Sequence, residues 1–433
     1  MAMDGKELVE KLAKLSQVQS IKDIPQLTHA LFPGTHCPLM GAAMAVGGIK
    51  DSLIVVVGTD ECTYYTKSMT IHSEKFGGID GRCVSVVLDD HDVTFGSAEK
   101  VQEAFKEIIE EYRPQCVFLV TTCVIEIIGD DFDAISEGLS KLYGIPVLPV
   151  HTEHFKCEDH LPGLERTITV CAEMMKSCDC ENSVNLLGQR MGDFATTELY
   201  AMLQKAGVKI GLQLPCGCSV DDIKNAAAAK VNIVVNDIAL PLAQKMQEKF
   251  GIPYVYFNKF VIPEKIYEAY KNLFVYLDLE LPGELEGLYQ NAREKIEKNK
   301  GELEGITYIY GNTPYAVFEM NCFLSSLGMV PQVIQTNRYT EADELYAKEI
   351  LQYTDPYVCK AANIAPLQYV YDVLSPYLYL GHEFGNRLRQ KGIAIVDSDR
   401  ASGMLGFEVT GYLLQQLVKS VREAKEYRKE LGL

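Results

Sequence analysis

The stretch QCVFLVTTCVIEIIGDDFDAISEGLSKLYGIPVLPVHT, residues 115–152, decides the fold. It opens on an apolar run, QCVFLVTT (115–122), and closes on another, IPVLPVHT (145–152). Between them DDFDAISEGLSKLYG (130–144) spaces its apolar residues helically and stops at Gly144. Strand, helix and strand in that order make the crossover unit of a parallel sheet buried on both faces. Upstream, SLIVVVG (52–58), CVSVVLDD (83–90) and the helical SAEKVQEAFKEIIEEYR (97–113) repeat the grammar. It then restarts. SVNLLG (183–188), VKIGLQL (208–214), VNIVVN (231–236) and YVYFN (254–258) mark a second unit. After the polar NAREKIEKNKGELEG (291–305), a third runs through ITYIYGN (306–312), MVPQVIQTN (329–337), YVCK (357–360) and IAIVDSD (393–399). The expected fold is α/β: three doubly wound, Rossmann-like units with parallel sheets. Their expected extents are 1–181, 182–303 and 304–433, the last closing with a long helix.

The chain's 433 residues agree with about three domains at roughly 150 residues each. Lys and Arg number 41 against 59 Asp and Glu, a net −18, which argues against nucleic acid as a partner. No apolar run approaches the roughly 20 residues that span a bilayer, so no membrane partner is expected. MAMDGKELVEKLAKL lacks an apolar core behind a basic start, and a cytoplasmic protein is expected. No G-x-G-x-x-G follows a unit's first strand and no G-x-x-x-x-G-K-[ST] occurs, which disfavours a dinucleotide or ATP site.

Thirteen cysteines remain to be explained. In a reducing compartment they form no disulfide framework, and most read as small buried hydrophobes. Cys37, Cys62 and Cys123 differ, because each lies at the end of an element where a parallel sheet presents its ligand edge. Their spacing is not that of a zinc ribbon. Converging loops would bring three thiolates to one iron–sulfur cluster, whose irons take soft anionic sulfur. A helix N-terminus at Cys123 would lower its thiol pKa. The alternative is three packed cysteines with no common purpose.

The residues around these cysteines resemble the catalytic component of nitrogenase and its relatives, namely the cofactor-assembly scaffold and the dark-operative protochlorophyllide and chlorin reductases. HCPLMGA, ECTYYT, TTCVIEIIGDDF, VNLLG, AKVNIVVN, GIPYVYFN and SGMLGFE carry the likeness, in order and over nearly the whole chain. The TTC-x4-IGDD segment is its most specific part. The resemblance implies that Cys37, Cys62 and Cys123 bind a cluster at the interface with a homologous partner subunit, in an α/β pair, heterotetramer or homo-oligomer. That cluster would be an eight-iron, seven-sulfide P-cluster or a four-iron one. CPLMGA and GMLGFE look more like the β-subunit than the α-subunit.

The pattern also departs from the family. Where the α-subunit anchors its iron–molybdenum cofactor by a cysteine and a histidine, this chain has Asn236 and Leu405 (or Met404). A standard cofactor on those anchors is therefore not expected. Cys216 and Cys218, in Pro215-Cys216-Gly217-Cys218, are candidates with Asn236 for a second metal cluster or a substrate site. The alternative is a tight glycine turn. The loop HTEHFKCEDH carries His151, His154, Cys157 and His160 at the spacing of a metal box; His151, His154 and Cys157 are candidates for shielding the cluster, and the alternative is a solvated loop. LDDHDVTFG matches a stretch whose phenylalanine contacts an ATP-hydrolysing iron protein, which makes Phe95 the docking candidate. The resulting expectation is an oxidoreductase subunit taking electrons from that protein to a small substrate: carbon–sulfur cleavage, tetrapyrrole or dinitrogen reduction. A non-catalytic scaffold for cofactor assembly is the alternative.

Overall fold

The computed structural model describes residues 4–27, 36–71, 82–157, 159–190, 192–311, 313, 316–361 and 364–433. Three parallel sheets carry the three units. In the first, the strands lie in the order Cys83–Val87, Ser52–Gly58, Cys116–Thr121, Val147–Val150. In the second the order is Tyr254–Tyr256, Ala229–Val234, Glu181–Gln189, Lys209–Pro215. Numbered along the chain, the first reads two, one, three, four, and the second gives the same order taken from its other edge. The third runs Tyr357–Cys359, Val330–Gln335, Thr307–Tyr310, Leu378–Leu380, Ala394–Val396, or three, two, one, four, five. Each is a doubly wound sheet, and each has one point where the winding reverses.

Sequence period explains the layers. Every residue of Ser52–Gly58 and Cys116–Thr121 is buried, as continuous apolar strands require. The helix Ala98–Tyr112 buries Val101, Phe105 and Ile108, one stripe of a 3.6-residue period. Phe105 and Phe118 are fully buried, each contributing about 1.5–3 kcal/mol from burial.

The units interlock more than their sequence boundaries suggest. The N-terminal segment, expected to open the first unit, packs on the third. Ala13–Lys14 pairs antiparallel with Tyr357–Val358, and Leu8, Leu12 and Leu27 join Val333, Cys359 and Tyr371 in one core. The polar stretch before the third unit is mostly the end of a helix, Leu285–Leu303, whose Glu302 pairs with Arg422 of the closing helix Glu408–Leu431. A short parallel bridge, Ile49–Lys50 with Cys218–Ser219, ties the first unit to the second. Among the described residues no helix is long and apolar enough to cross a membrane.

Candidate functional site

Cys62 and Cys123 follow the strands Ser52–Gly58 and Cys116–Thr121, the two between which the first sheet reverses its winding. Crevices form at such points because the loops leave in opposite directions. The strand ends come close because Gly58 has no side chain: a Cβ there would sit 2.3 Å from Thr122 Oγ1. Cys62 lies in the first turn of Asp60–Ile71, and Cys123 is the first residue of Cys123–Ile128. Cys37 caps the helix Pro38–Gly47. That helix crosses Leu161–Val170 through Gly41 and Gly163, where an added Cβ would meet backbone oxygens of His160 and Pro38 at 1.9 and 1.8 Å.

The three thiols are brought together. Burial, then the neighbouring Cys123 and more weakly Cys37, push the Cys62 thiol up, while a hydrogen bond with Thr59 works the other way. Cys37 in turn lies near the Tyr65 hydroxyl, raised by burial and by that thiol, and His36 Nδ1 is 2.6 Å from the same hydroxyl. Three thiolates packed this way repel one another, so the charged forms need a cation between them. Among the described residues, the metal-ligating atoms that gather in threes within 4.8 Å are those of Asp89, His91 and Asp92. The Asp89 group is a helix cap, accepting from the His91 and Asp92 amides and paired with Lys100.

The loop after Val147–Val150 supports this site differently from the expectation. His151 Nε2 pairs with Asp133 at 3.2 Å, and His154 is exposed against the exposed Phe155 ring. Cys157 Sγ contacts Arg166 and the Thr152 carbonyl at 3.8 Å. No contact joins these side chains to the three thiols among the described residues. Glu126 makes the connection instead. From the helix that Cys123 opens, its Oε1 accepts from Thr121 Oγ1 (2.8 Å), Thr152 Oγ1 (3.2 Å) and Glu153 N (2.6 Å). The loop's inward histidine is His160, whose ring meets His36 edge-on at 6.3 Å.

Phe95 is 76% exposed, which excludes a core role. It ends the helix Asp90–Phe95 before Gly96, and Asp130 Oδ2 accepts from Ser97 N and Oγ at 2.7 and 2.6 Å. Asp131 caps its own helix through the Ala134 amide. Asp130 thereby fastens the Phe95 turn to the loop that follows Cys123. Tyr64 and Ile127, each four residues or fewer from a thiol, are 72% and 71% exposed.

A second cluster of groups lies where the strand ends of the second unit face the other two. Arg190, Cys216, Asp237 and Lys259 each follow one of its four strands. His160 comes from the first unit, Glu319 and Arg338 from the third. Burial, with Arg190, His36 and Arg338 adding to it, holds the His160 imidazolium down to about 4, although Asp159 opposes. Burial and Arg190 bring Lys259 to about 7. Burial pushes Glu319 up to about 7 against Lys265, and its Oε1 has no partner among the described residues.

Here the expected second cluster fails. Cys218 is 1% exposed in the core shared by the first two units, and burial pushes its thiol up to about 12. Asn236 Oδ1 accepts from the Ile238 amide at 3.2 Å as a helix cap. Leu405 is 1% exposed in the second unit's core. The donor set therefore does not fit a cluster on Cys216, Cys218 and Asn236, nor a cofactor on Asn236 and Leu405. Cys216 is half-buried and donates to the Arg190 carbonyl at 3.1 Å. Sequence reading missed Arg190, Lys259, Glu319 and Arg338. For Arg190, Lys259 and Arg338 the available signal was a charge one to three residues beyond an apolar strand; Glu319, in the first turn of the helix Val317–Ser326, carries no such signal.

The family model for nitrogenase component 1 type oxidoreductases matches residues 37–422. The cofactor biosynthesis protein NifE of Clostridium pasteurianum is 30% identical over 51% of this chain, a match spanning 49% of that relative's length. NifE of Rippkaea orientalis is 25% identical over 73% of the chain and 69% of its own. The nitrogenase molybdenum-iron protein alpha chain of Methanosarcina barkeri is 24% identical over 78% of the chain and 66% of its own. A solved structure described as nitrogenase Cp1 at pH 6.5 superposes with a TM-score of 0.76 at 15% identity, covering 93% of this chain and 95% of that one. Its likeness concerns the fold.

Proposed function

Because the chain belongs to the nitrogenase component 1 type oxidoreductase family, we propose that it is one subunit of a two-component reductase served by an ATP-hydrolysing iron protein. The observation that carries this reading is the convergence of Cys37, Cys62 and Cys123 on one crevice beside exposed Tyr64 and Ile127. These thiolates would hold an iron–sulfur cluster, which supplies one-electron relay. Three ligands from one chain leave the set incomplete, so a homologous partner subunit covers the crevice. Tyr64 and Ile127 are the apolar contacts such a partner would bury.

The chain's own residues do the positioning. Thr59 directs a hydrogen bond at the Cys62 sulfur, the kind of contact that tunes a ligand's basicity. Glu126 fixes the Cys123 helix to the loop behind it. Asp130 holds Phe95 at the surface, where it docks the iron protein. The relatives reported are cofactor-biosynthesis and alpha chains, so the β-like wording of CPLMGA and GMLGFE does not carry a subunit assignment.

Phe95→Asp tests the docking arm. The variant is expected to slow iron-protein- and ATP-dependent electron transfer at least about tenfold, since an apolar anchor is worth 1–2 kcal/mol or more. Its iron content stays at the wild-type level. An unchanged rate removes Phe95 from the docking surface. The second reading, a scaffold for cofactor assembly, is favoured by the likeness to NifE and by the non-ligating Asn236 and Leu405. Turnover of any reducible substrate under iron protein and ATP separates the two, because a scaffold supports none.

A further inference from the structure

Two cysteines of the chain have no packing role. Cys178 and Cys180 are exposed, whereas the other thiols are buried or half-buried. Neither joins a hydrophobic core among the described residues. Cysteine is among the residue types most often fully buried, so two exposed thiols one residue apart are not explained as small hydrophobes. Their sulfurs meet backbone carbonyls, Cys178 Sγ that of Lys176 at 3.1 Å and Cys180 Sγ that of Glu181 at 3.8 Å. The short span that carries them, residues 177–180, is pinned at both ends. Before it the Lys176 amide donates to the Lys224 carbonyl at 2.9 Å, and after it Glu181 opens a strand and pairs with Ala229. Two steps of chain keep the α-carbons of the pair within about 7 Å of each other. A span fixed in this way holds both thiols ready for one ligand.

We propose that Cys178 and Cys180 form a two-thiolate site for a soft monovalent cation of the copper(I) class. Thiolate sulfur selects copper(I), zinc and iron–sulfur clusters. Structural zinc takes four ligands, and iron–sulfur clusters are held by four cysteines or their equivalents. Here no third ligand stands with the two sulfurs: among the described residues, the His, Cys, Asp and Glu atoms that gather in threes within 4.8 Å are those of Asp89, His91 and Asp92. Asp179, between the thiols, offers hard carboxylate oxygen, which suits calcium or magnesium. Two soft donors alone match an ion that two ligands satisfy. Binding exchanges both thiol protons for the ion, releases them to water and leaves a bis-thiolate complex of charge −1, with no change of oxidation state. Nine residues of strand separate the pair from Arg190 at the other end. The site rests on neither the cluster nor the reductase reading.

The test is competition for copper(I) between the whole protein and the chelator bathocuproine disulfonate, without oxygen, for wild type, Cys178→Ser and Cys180→Ser. Wild type is expected to take one copper(I) per chain more than either variant. Each variant binds that ion at least about a hundredfold more weakly, because the second thiol no longer acts at the high effective concentration of a short tether. X-ray absorption at the copper edge of that ion shows two sulfur neighbours. Both thiols are exposed, so the variants melt at the wild-type temperature and keep the wild-type iron content. Variants that hold copper as wild type does overturn the proposal. So do three or more sulfur neighbours, copper that joins two chains on sizing, or zinc that displaces the copper. Only the difference between wild type and variants is read, so copper taken by other thiols cancels and the cluster reading stands or falls separately.

Discussion

Cys62→Ser is expected to lose most of the protein's iron and with it the visible absorption of the anaerobically purified protein. Cys62 is the thiol on which the other two act: its ionisation is opposed by burial, by Cys123 and by Cys37. Such a group is costly as a thiolate until metal arrives, and then it becomes a strong, soft ligand. Serine keeps the size and loses the soft donor. The fall should be severalfold, because a cluster lacking one of its ligands is released. Cys218→Ala is the matched control. Its thiol is equally a cysteine near the first unit, but it is packed in the core, so the variant costs about 1–2 kcal/mol of stability and no iron. Equal iron in the two variants would show that Cys62 is merely packed.

Gly163→Ala is the second large effect, and its sign is diagnostic. In an isolated helix alanine gains about 1 kcal/mol over glycine. Here the new Cβ would stand 1.8 Å from the Pro38 carbonyl oxygen, an atom of the backbone that cannot swing aside. Gly41 makes the reciprocal approach to His160. The two helices must separate, and overpacking of this kind destabilises by about 3 kcal/mol. The denaturation midpoint should fall. Iron per folded chain should fall too, because Pro38 follows Cys37 and moves it. A midpoint at or above wild type would mean that the helices are not held at this distance.

Much of the fold was legible because it is local. Buried strands such as SLIVVVG and amphipathic helices such as SAEKVQEAFKEIIEEYR carry their own period. The switch-point cysteines were legible too, since each stands just past such an element. What escaped depends on contacts distant in sequence. The segment around Ala13 pairs with Tyr357 and Val358 across more than 300 residues, which no local pattern announces. Cys216 and Cys218 look equivalent in a C-x-C pair, yet the bridge to Ile49 turns Cys218 into the core. His151 and His154 look like ligands, but Asp133 and solvent claim them, while Glu126, an unremarked position within TTC-x4-IGDD, joins the loop to the Cys123 helix. Arg190 and Lys259 follow strands that a third strand separates in the sheet, and they come within reach of each other only with the winding of the whole unit complete.

The central claim is that three thiols of this chain hold iron and sulfide at the crevice of the first sheet. Iron and acid-labile sulfide per chain test it most directly, measured on protein produced with its iron–sulfur assembly machinery and kept free of oxygen. The account predicts several irons per chain with a comparable amount of sulfide. Protein without iron under those conditions would contradict it and leave three converging cysteines without a cluster.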